Sequence, residues 1–102
     1  MRLEYYSFDK LEKEIIEIIG RYLDLREYKV FFFGSRVEGR GNERSDIDIG
    51  IEGKNPVSVV DLERIREEID NLPTLYSFDV VDFNRVSDKF KMVVENKKEF
   101  IT

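Results

Sequence analysis

Residues 28–52 read YKVFFFGSRVEGRGNERSDIDIGIE, and the pattern in this stretch decides the fold. Its first six residues form an apolar, aromatic run that is typical of a strand buried on both faces. The run stops at Gly34, and the polar, glycine-rich segment over 35–41 predicts a turn or one short helical turn. Residues 46–52 then alternate, with an isoleucine at every second position. This period of two predicts a second strand with one buried face.

The segments on either side of this stretch supply the rest of the architecture. Apolar side chains at helical spacing predict an amphipathic helix before it and another after it, which Pro73 ends. The predicted elements outside the stretch are helices over 8–25, 59–72 and 87–98 and strands over 76–83 and 100–101. In the last helix we expect Phe90, Val93 and Val94 to face inward. The order predicts an α/β (α+β) fold, a small mixed β-sheet flanked by helices, in one domain over residues 1–102.

The chain of 102 residues is acidic and lacks two reactive residue types. It has 17 Lys and Arg against 22 Asp and Glu, a net charge of −5, with no cysteine and no histidine. The missing types exclude disulfides, thiolate zinc sites, cysteine nucleophiles and catalytic triads that contain histidine. The negative charge makes direct nucleic-acid binding unfavourable. No apolar run is long enough to cross a membrane and the N-terminus lacks the apolar core of a signal peptide, so we expect a cytoplasmic protein without a membrane partner.

Two carboxylates share one face of the second predicted strand. Asp46 and Asp48 are two residues apart, so their Cα atoms lie about 6.5 Å apart and both side chains point the same way. Like charges on one strand face repel, and aspartate is a poor strand former. A divalent cation would turn this repulsion into ligation, and oxygen ligands favour magnesium or manganese. The alternative is an exposed strand face with two solvated aspartates. An EF-hand is excluded because no glutamate closes the loop and the isoleucine alternation indicates a strand.

The turn at Gly34 and Ser35 has the features of a phosphate site. Backbone N–H groups that follow a buried strand can point at an anion, and a serine hydroxyl can donate to a phosphate oxygen. A P-loop is rejected because Arg40 stands where that motif has lysine, and Gly41 where it has serine or threonine. Residues 36–45 hold three arginines and two glutamates, a net charge of +1 that suits a triphosphate. The simpler interpretation is an ordinary strand-ending turn followed by a solvated loop.

A third carboxylate is available on the strand predicted over 76–83. Asp79 and Asp82 are three residues apart, so they face opposite sides and only one of them can join the pair on the second strand. A two-metal phosphoryl-transfer centre needs such a third acid. We predict Asp79, which lies nearer the start of the strand, and expect Asp82 to cap the following turn.

The combination of these motifs resembles a known signature. Gly34-Ser35, ten further residues and then Asp46-Ile47-Asp48 is similar to the signature of the DNA polymerase β-like nucleotidyltransferase superfamily, above all of its minimal nucleotidyltransferase branch. The resemblance covers nearly the whole chain, from the leading helix to the run Asp79-Val80-Val81-Asp82. It implies a polymerase β-like nucleotidyltransferase fold.

The resemblance also implies roles for individual residues. The implied site residues are Gly34, Ser35, Arg36 and Ser45 for the nucleotide, and Asp46, Asp48 and Asp79 for catalysis and for two Mg²⁺ ions, with Mn²⁺ as a substitute. Asp79 is also the implied proton acceptor. The implied reaction is in-line attack of an acceptor hydroxyl on the α-phosphate of a nucleoside triphosphate, ATP by resemblance, with release of pyrophosphate.

The same resemblance implies a partner for so small a chain. Minimal nucleotidyltransferases are typically paired with a small helical protein of the higher-eukaryote-and-prokaryote nucleotide-binding (HEPN) type. In many pairs the partner is a toxin ribonuclease, and the nucleotidyltransferase is the antitoxin that adenylylates one of its tyrosines. We expect that function here. The alternatives are a small-molecule nucleotidyltransferase whose helical subunit binds the substrate, a neutraliser that acts by binding alone, and a plain α/β domain with a coincidental motif.

Overall fold

The helices and strands follow the predicted order. The computed structural model describes residues 1–42 and 44–102. The elements are α1 (Phe8–Gly20), β1 (Tyr28–Phe33), β2 (Ile47–Gly53), α2 (Val59–Asp70), β3 (Phe78–Asp82), α3 (Asp88–Val94) and β4 (Glu99–Phe100). Each of these helices begins after a serine, whose hydroxyl accepts a hydrogen bond from the backbone N–H three residues further on. The capping serines are Ser7, Ser58 and Ser87.

The strands of the described residues form one mixed sheet in the order β3-β2-β1-β4. β1 lies antiparallel to both β2 and β4, whereas β2 and β3 run parallel. Parallel neighbours need a crossover connection, and α2 supplies it on the sheet face that α1 also covers. The small mixed sheet flanked by helices is therefore confirmed.

The sheet is covered on both faces, but unequally. The larger core lies between the sheet and the two long helices, and it takes in the isoleucines of β2. The smaller core, on the other face, consists of Phe31, Phe33, Phe83 and Val94. A Cβ at Gly50 of β2 would overlap the Phe31 ring and stand 2.9 Å from Cε1 of Phe83. The isoleucine face of β2 is buried as predicted, but its second face is not open throughout: aromatic rings bury Gly50, whereas Asp48 and Glu52 stay partly exposed.

Two helices end earlier than their sequence pattern predicts. α1 ends at Gly20 and not near residue 25, and α3 ends at Val94 and not near residue 98. Val94 is buried as expected, but Val93 is 58% exposed, so the prediction for Val93 is wrong. Phe90 packs its ring against the aromatic cluster and stays 38% exposed, because the small cluster beneath α3 cannot cover all three side chains. Within the described ranges, no helix combines the length and the apolar character needed to cross a membrane.

Candidate active site at the loop end of the sheet

The sheet register brings two of the predicted carboxylates side by side. Phe33, Asp48 and Asp79 lie in one row across β1, β2 and β3. Neighbouring strands are about 4.8 Å apart, so Asp48 and Asp79 are direct neighbours on one face. Asp46 lies just before β2 and two residues from Asp48. Asp46 and Asp79 are exposed, whereas Asp48 is half-buried. The three predicted carboxylates thus gather at one end of the sheet.

Asp48 is the carboxylate most affected by its surroundings. Burial, reinforced by the charges of Asp79 and Asp46, raises the pKa of Asp48 to about 6. None of the three side chains forms a hydrogen bond or an ion pair with the residues that the structure describes. Three like charges without a partner in the described part of the chain therefore meet at this end of the sheet, an arrangement that a bound cation would stabilise.

Gly34 brings the backbone of the turn into contact with Asp48. Its φ of +84° is a conformation that favours glycine. A Cβ at this position would overlap Oδ2 of Asp48 and come 3.0 Å from Cγ of the same residue. Because position 34 has no side chain, the turn predicted to bind phosphate lies against the carboxylate predicted to bind metal.

The loop after Gly34 folds back on its own first residues. The N–H of Glu38 donates to the Gly34 carbonyl at 3.1 Å, which makes one helical turn as predicted. The N–H groups of Arg40 and Gly41 both donate to the carbonyl of Ser35, at 2.9 and 3.0 Å. The Ser35 hydroxyl forms no hydrogen bond within the described residues. It can therefore donate to a phosphate oxygen.

Arg36 and Ser45, both predicted to bind nucleotide, form bonds within the loop. Nε of Arg36 donates to the Ser45 carbonyl at 2.8 Å, and the guanidinium carbon lies 4.9 Å from the centre of the Tyr76 ring. The Ser45 hydroxyl accepts a hydrogen bond from the N–H of Asn42 at 3.0 Å. Tyr76 is a site residue that the sequence analysis missed. No local pattern marks it, because only the parallel pairing of β3 with β2 brings it to the loop.

Asp82 lies on the other face of β3 and has a different set of contacts. The residue is 4% exposed, and its carboxylate accepts hydrogen bonds from the N–H of Val57 at 2.8 Å and the N–H of Asn84 at 2.9 Å. Nε of Arg85 lies 3.1 Å from the same group. The bond from Asn84 caps the turn after β3, as expected, and the bond from Val57 ties β3 to the segment before α2.

The three gathered carboxylates suit a hard divalent cation by their chemistry. Carboxylate oxygens are ligands that magnesium and manganese prefer, and these have no competing partner in the described part of the chain. No three acidic side chains of residues 1–42 and 44–102 lie close enough to hold an ion together as they stand. A bound ion would have to draw the three carboxylates closer together than they stand, and two of them, Asp46 and Asp79, are exposed.

Comparison with known proteins identifies relatives in sequence. The family model for polymerase beta nucleotidyltransferases matches residues 13–102. A protein of Haemophilus influenzae, named probable protein adenylyltransferase MntA, is 28% identical over 83 residues, which cover 81% of this chain and 72% of that protein.

Solved structures share the fold at low sequence identity. A toxin–antitoxin complex with AMP-PNP contains a chain that superimposes with a TM-score of 0.73 at 19% identity, over 89% of this chain and 72% of that one. A complex of the tri-AMPylated Shewanella oneidensis HEPN toxin with MNT antitoxin contains a chain that superimposes with a TM-score of 0.70 at 16% identity. The match covers 92% of this chain and 71% of that one. The likeness establishes the fold, and the family match includes the turn, the loop and all three carboxylates. This chain belongs to the polymerase beta nucleotidyltransferase family and is a nucleotidyltransferase.

Proposed function

We propose that this chain transfers AMP from ATP to a tyrosine hydroxyl of a small helical HEPN-type toxin and thereby acts as its antitoxin. The observation that carries the proposal is the contact between Gly34 and Asp48: the turn predicted to bind phosphate lies against a carboxylate that has no partner among residues 1–42 and 44–102. The Haemophilus relative is named as a protein adenylyltransferase, and one structure of the same fold holds an AMPylated HEPN toxin. Both names support the choice of a protein acceptor.

The turn and its loop form the nucleotide-binding part of the proposed site. The Ser35 hydroxyl and the backbone N–H groups at Gly34 and Ser35 bind the phosphates. Arg36 and Ser45 contribute to nucleotide binding through the loop that they close, since their mutual hydrogen bond joins its two ends. The loop residues over 36–45 carry a net charge of +1 within an acidic chain, which attracts a triphosphate.

The carboxylates form the catalytic part. Asp46, Asp48 and Asp79 hold two magnesium ions, for which manganese can substitute. When bound, these ions neutralise phosphate oxygens and make the acceptor hydroxyl easier to deprotonate. With a pKa of about 6, Asp48 is mostly ionised at neutral pH and is ready to act as a ligand.

The reaction is a single displacement. The acceptor oxygen attacks the α-phosphorus, the bond from that phosphorus to the bridging oxygen of the β-phosphate breaks, and pyrophosphate leaves. Asp79 is exposed beside Asp48 and accepts the proton of the attacking hydroxyl.

The test is transfer of AMP to the purified protein encoded by the neighbouring gene. The chain is incubated with magnesium, α-labelled ATP and that protein, and mass spectrometry counts the AMP units gained. We expect AMP adducts with the wild type and none with the double variant Asp46→Asn/Asp48→Asn. Asp70→Asn, which changes an exposed carboxylate at the end of α2, is the matched control and should transfer like the wild type.

Three other results would contradict parts of the proposal. Magnesium-dependent ATP binding without protein modification would indicate a small-molecule acceptor such as an aminoglycoside-like alcohol. Neutralisation of the toxin by Asp48→Asn would show that binding alone suffices. A chain that does not bind ATP with magnesium at all would leave only the partner-binding role, without catalysis.

A further inference from the structure

Tyr76 lies where three parts of the chain meet beside the proposed site. Its phenol oxygen accepts hydrogen bonds from the backbone N–H groups of Glu4 and Tyr5, both at 3.1 Å. Its ring face carries the guanidinium of Arg36, at 4.9 Å from the ring centre. The side chain of Tyr76 therefore contacts both the N-terminal segment and the loop, and its backbone leads into the start of β3.

Arg36 extends this contact across the loop. It directly follows the Gly34–Ser35 turn, and its Nε donates to the carbonyl of Ser45 at 2.8 Å. Ser45 directly precedes Asp46. The guanidinium thus joins the two ends of the loop, and the face that it rests on is the ring of Tyr76.

The segment that carries Tyr76 is itself fixed to the sheet. The N–H of Ile47 donates to the carbonyl of Ser77 at 2.9 Å, next to the paired residues of β2 and β3. The N–H of Tyr76 donates to Oγ1 of Thr74 at 3.2 Å. With its phenol oxygen bonded at one end and its backbone bonded at the other, Tyr76 is a fixed support for the guanidinium.

We propose that Tyr76 is a positioning residue for nucleotidyl transfer. Its ring supports Arg36 so that the turn at Gly34 and Ser35 keeps a constant spacing from Asp46 and Asp48. The kinetic part of this inference rests on the proposed function. Tyr76 acts through Arg36 and not on the reacting atoms. The spacing matters because a displacement of about 1 Å in a reactive arrangement can lower a rate about 100-fold.

Two substitutions at Tyr76 separate the ring from the hydroxyl. Tyr76→Leu removes the aromatic face under Arg36, whereas Tyr76→Phe keeps the face and removes only the acceptor of the two N–H bonds. Tyr28→Leu is the matched control. Like Tyr76, Tyr28 is partly buried against the larger core, and its hydroxyl is hydrogen-bonded to backbone, in this case to the Asn55 carbonyl. It lies at the opposite end of β1 from the turn.

The kinetic readout is transfer of AMP to the protein encoded by the neighbouring gene. We expect Tyr76→Leu to lower kcat roughly 10- to 100-fold, with the KM for magnesium-ATP changed by less than about threefold, because the loss falls on the transition state. Tyr76→Phe should recover most of kcat, and Tyr28→Leu should match the wild type. A loss of fold alone would lower the active fraction of both leucine variants, which circular dichroism and thermal unfolding would show.

A second readout needs no activity. Amide hydrogen exchange at Arg40 and Gly41, whose N–H groups bond to the Ser35 carbonyl, reports whether the loop stays closed. We expect faster exchange at both amides in Tyr76→Leu and wild-type exchange in Tyr76→Phe and Tyr28→Leu. Unchanged exchange in Tyr76→Leu overturns the inference, and so does faster exchange with a wild-type kcat. If the wild type transfers nothing to any acceptor, the proposed function fails, while the exchange data still decide whether Tyr76 supports the loop.

Discussion

At the scale of single residues, the space beside the Asp48 carboxylate is as important as the carboxylate. The turn reaches Asp48 only because position 34 has no side chain and can adopt a positive φ. Gly39, in the same loop, has a φ of +76° but nothing within 4 Å of where a Cβ would stand. The two glycines therefore share a backbone requirement, and only Gly34 has a steric one.

We expect Gly34→Ala to impair both stability and activity, and Gly39→Ala to impair stability alone. The positive φ should lower the free energy of unfolding by roughly 1–2 kcal/mol in each variant. In Gly34→Ala the added methyl group also displaces Asp48, so AMP transfer should fall by more than about 100-fold. Urea unfolding and the transfer assay measure the two effects. Equal activities of the two variants would refute a special role for the contact at Gly34.

The raised pKa of Asp48 predicts a pH-dependent gain in stability for Asp48→Asn. In the folded state the pKa is about 6 against an ordinary value of 3.8, so the folded chain binds this proton more tightly than the unfolded chain. Stability due to this group is therefore present at low pH and is lost as the pH rises from about 4 to 6. Without magnesium, Asp48→Asn should be more stable than the wild type by about 1–2 kcal/mol at pH 8, a value discounted for the solvent that reaches this half-buried group.

Thermal unfolding from pH 4 to 8 in a chelator measures this difference. The gain should shrink as the pH falls below 6, and the exposed control Asp70→Asn should show no comparable trend. A gain that is constant with pH would mean that the charge of Asp48 does not oppose folding.

At the scale of elements, β3 serves two purposes through its two faces. Its inner face buries Val80 in the larger core and turns Asp82 toward the hydrogen bonds that hold the segment before α2. Its outer face carries Asp79 next to Asp48. The alternation of side chains along one short strand separates a structural acid from a candidate catalytic one.

We expect Asp82→Asn and Asp79→Asn to have opposite effects. Asp82→Asn removes the ion pair with Arg85 and one of the buried acceptors, so it should lower the free energy of unfolding by roughly 1–3 kcal/mol. The folded fraction should still transfer AMP. Asp79→Asn should unfold at the wild-type urea concentration and transfer almost no AMP. Normal transfer by Asp79→Asn would remove Asp79 from the proposed site.

At the scale of the whole molecule, binding of metal and nucleotide should appear as added stability. A ligand at 100 times its Kd stabilises a folded protein by about 2.7 kcal/mol, which for a domain of this size raises Tm by roughly 10 °C or more. We expect that increase with magnesium and AMP-PNP together in a thermal-shift measurement. EDTA should remove it, and Asp46→Asn/Asp48→Asn should not show it. An equal increase in EDTA would mean that the nucleotide binds without the carboxylates.

Elements with strong local patterns were predictable from the sequence. The six residues of β1 and the alternation in β2 lie where the pattern placed them, since strand periodicity depends on neighbouring residues alone. The ends of α1 and α3 were not predictable, because each depends on what packs beneath the last turn. The burial of Gly50 on the second face of β2 also escaped prediction, since Gly50 carries no side chain and the rings that cover it come from Phe31 and Phe83.

In the candidate site, too, some features follow from the sequence and others only from the tertiary structure. By itself the sequence determined the chemistry: a Gly34–Ser35 turn, oxygen ligands only, and two aspartates on one strand face at a fixed spacing. Only the tertiary structure decided that Asp79 lies beside Asp48, whereas Asp82 is buried and hydrogen-bonded elsewhere. It also decided that the Tyr76 ring packs against the guanidinium of Arg36. Spacing along a strand is set by local backbone geometry, which the sequence pattern reveals. Contacts between β2, β3 and the loop depend on sheet register, which packing of the whole chain sets.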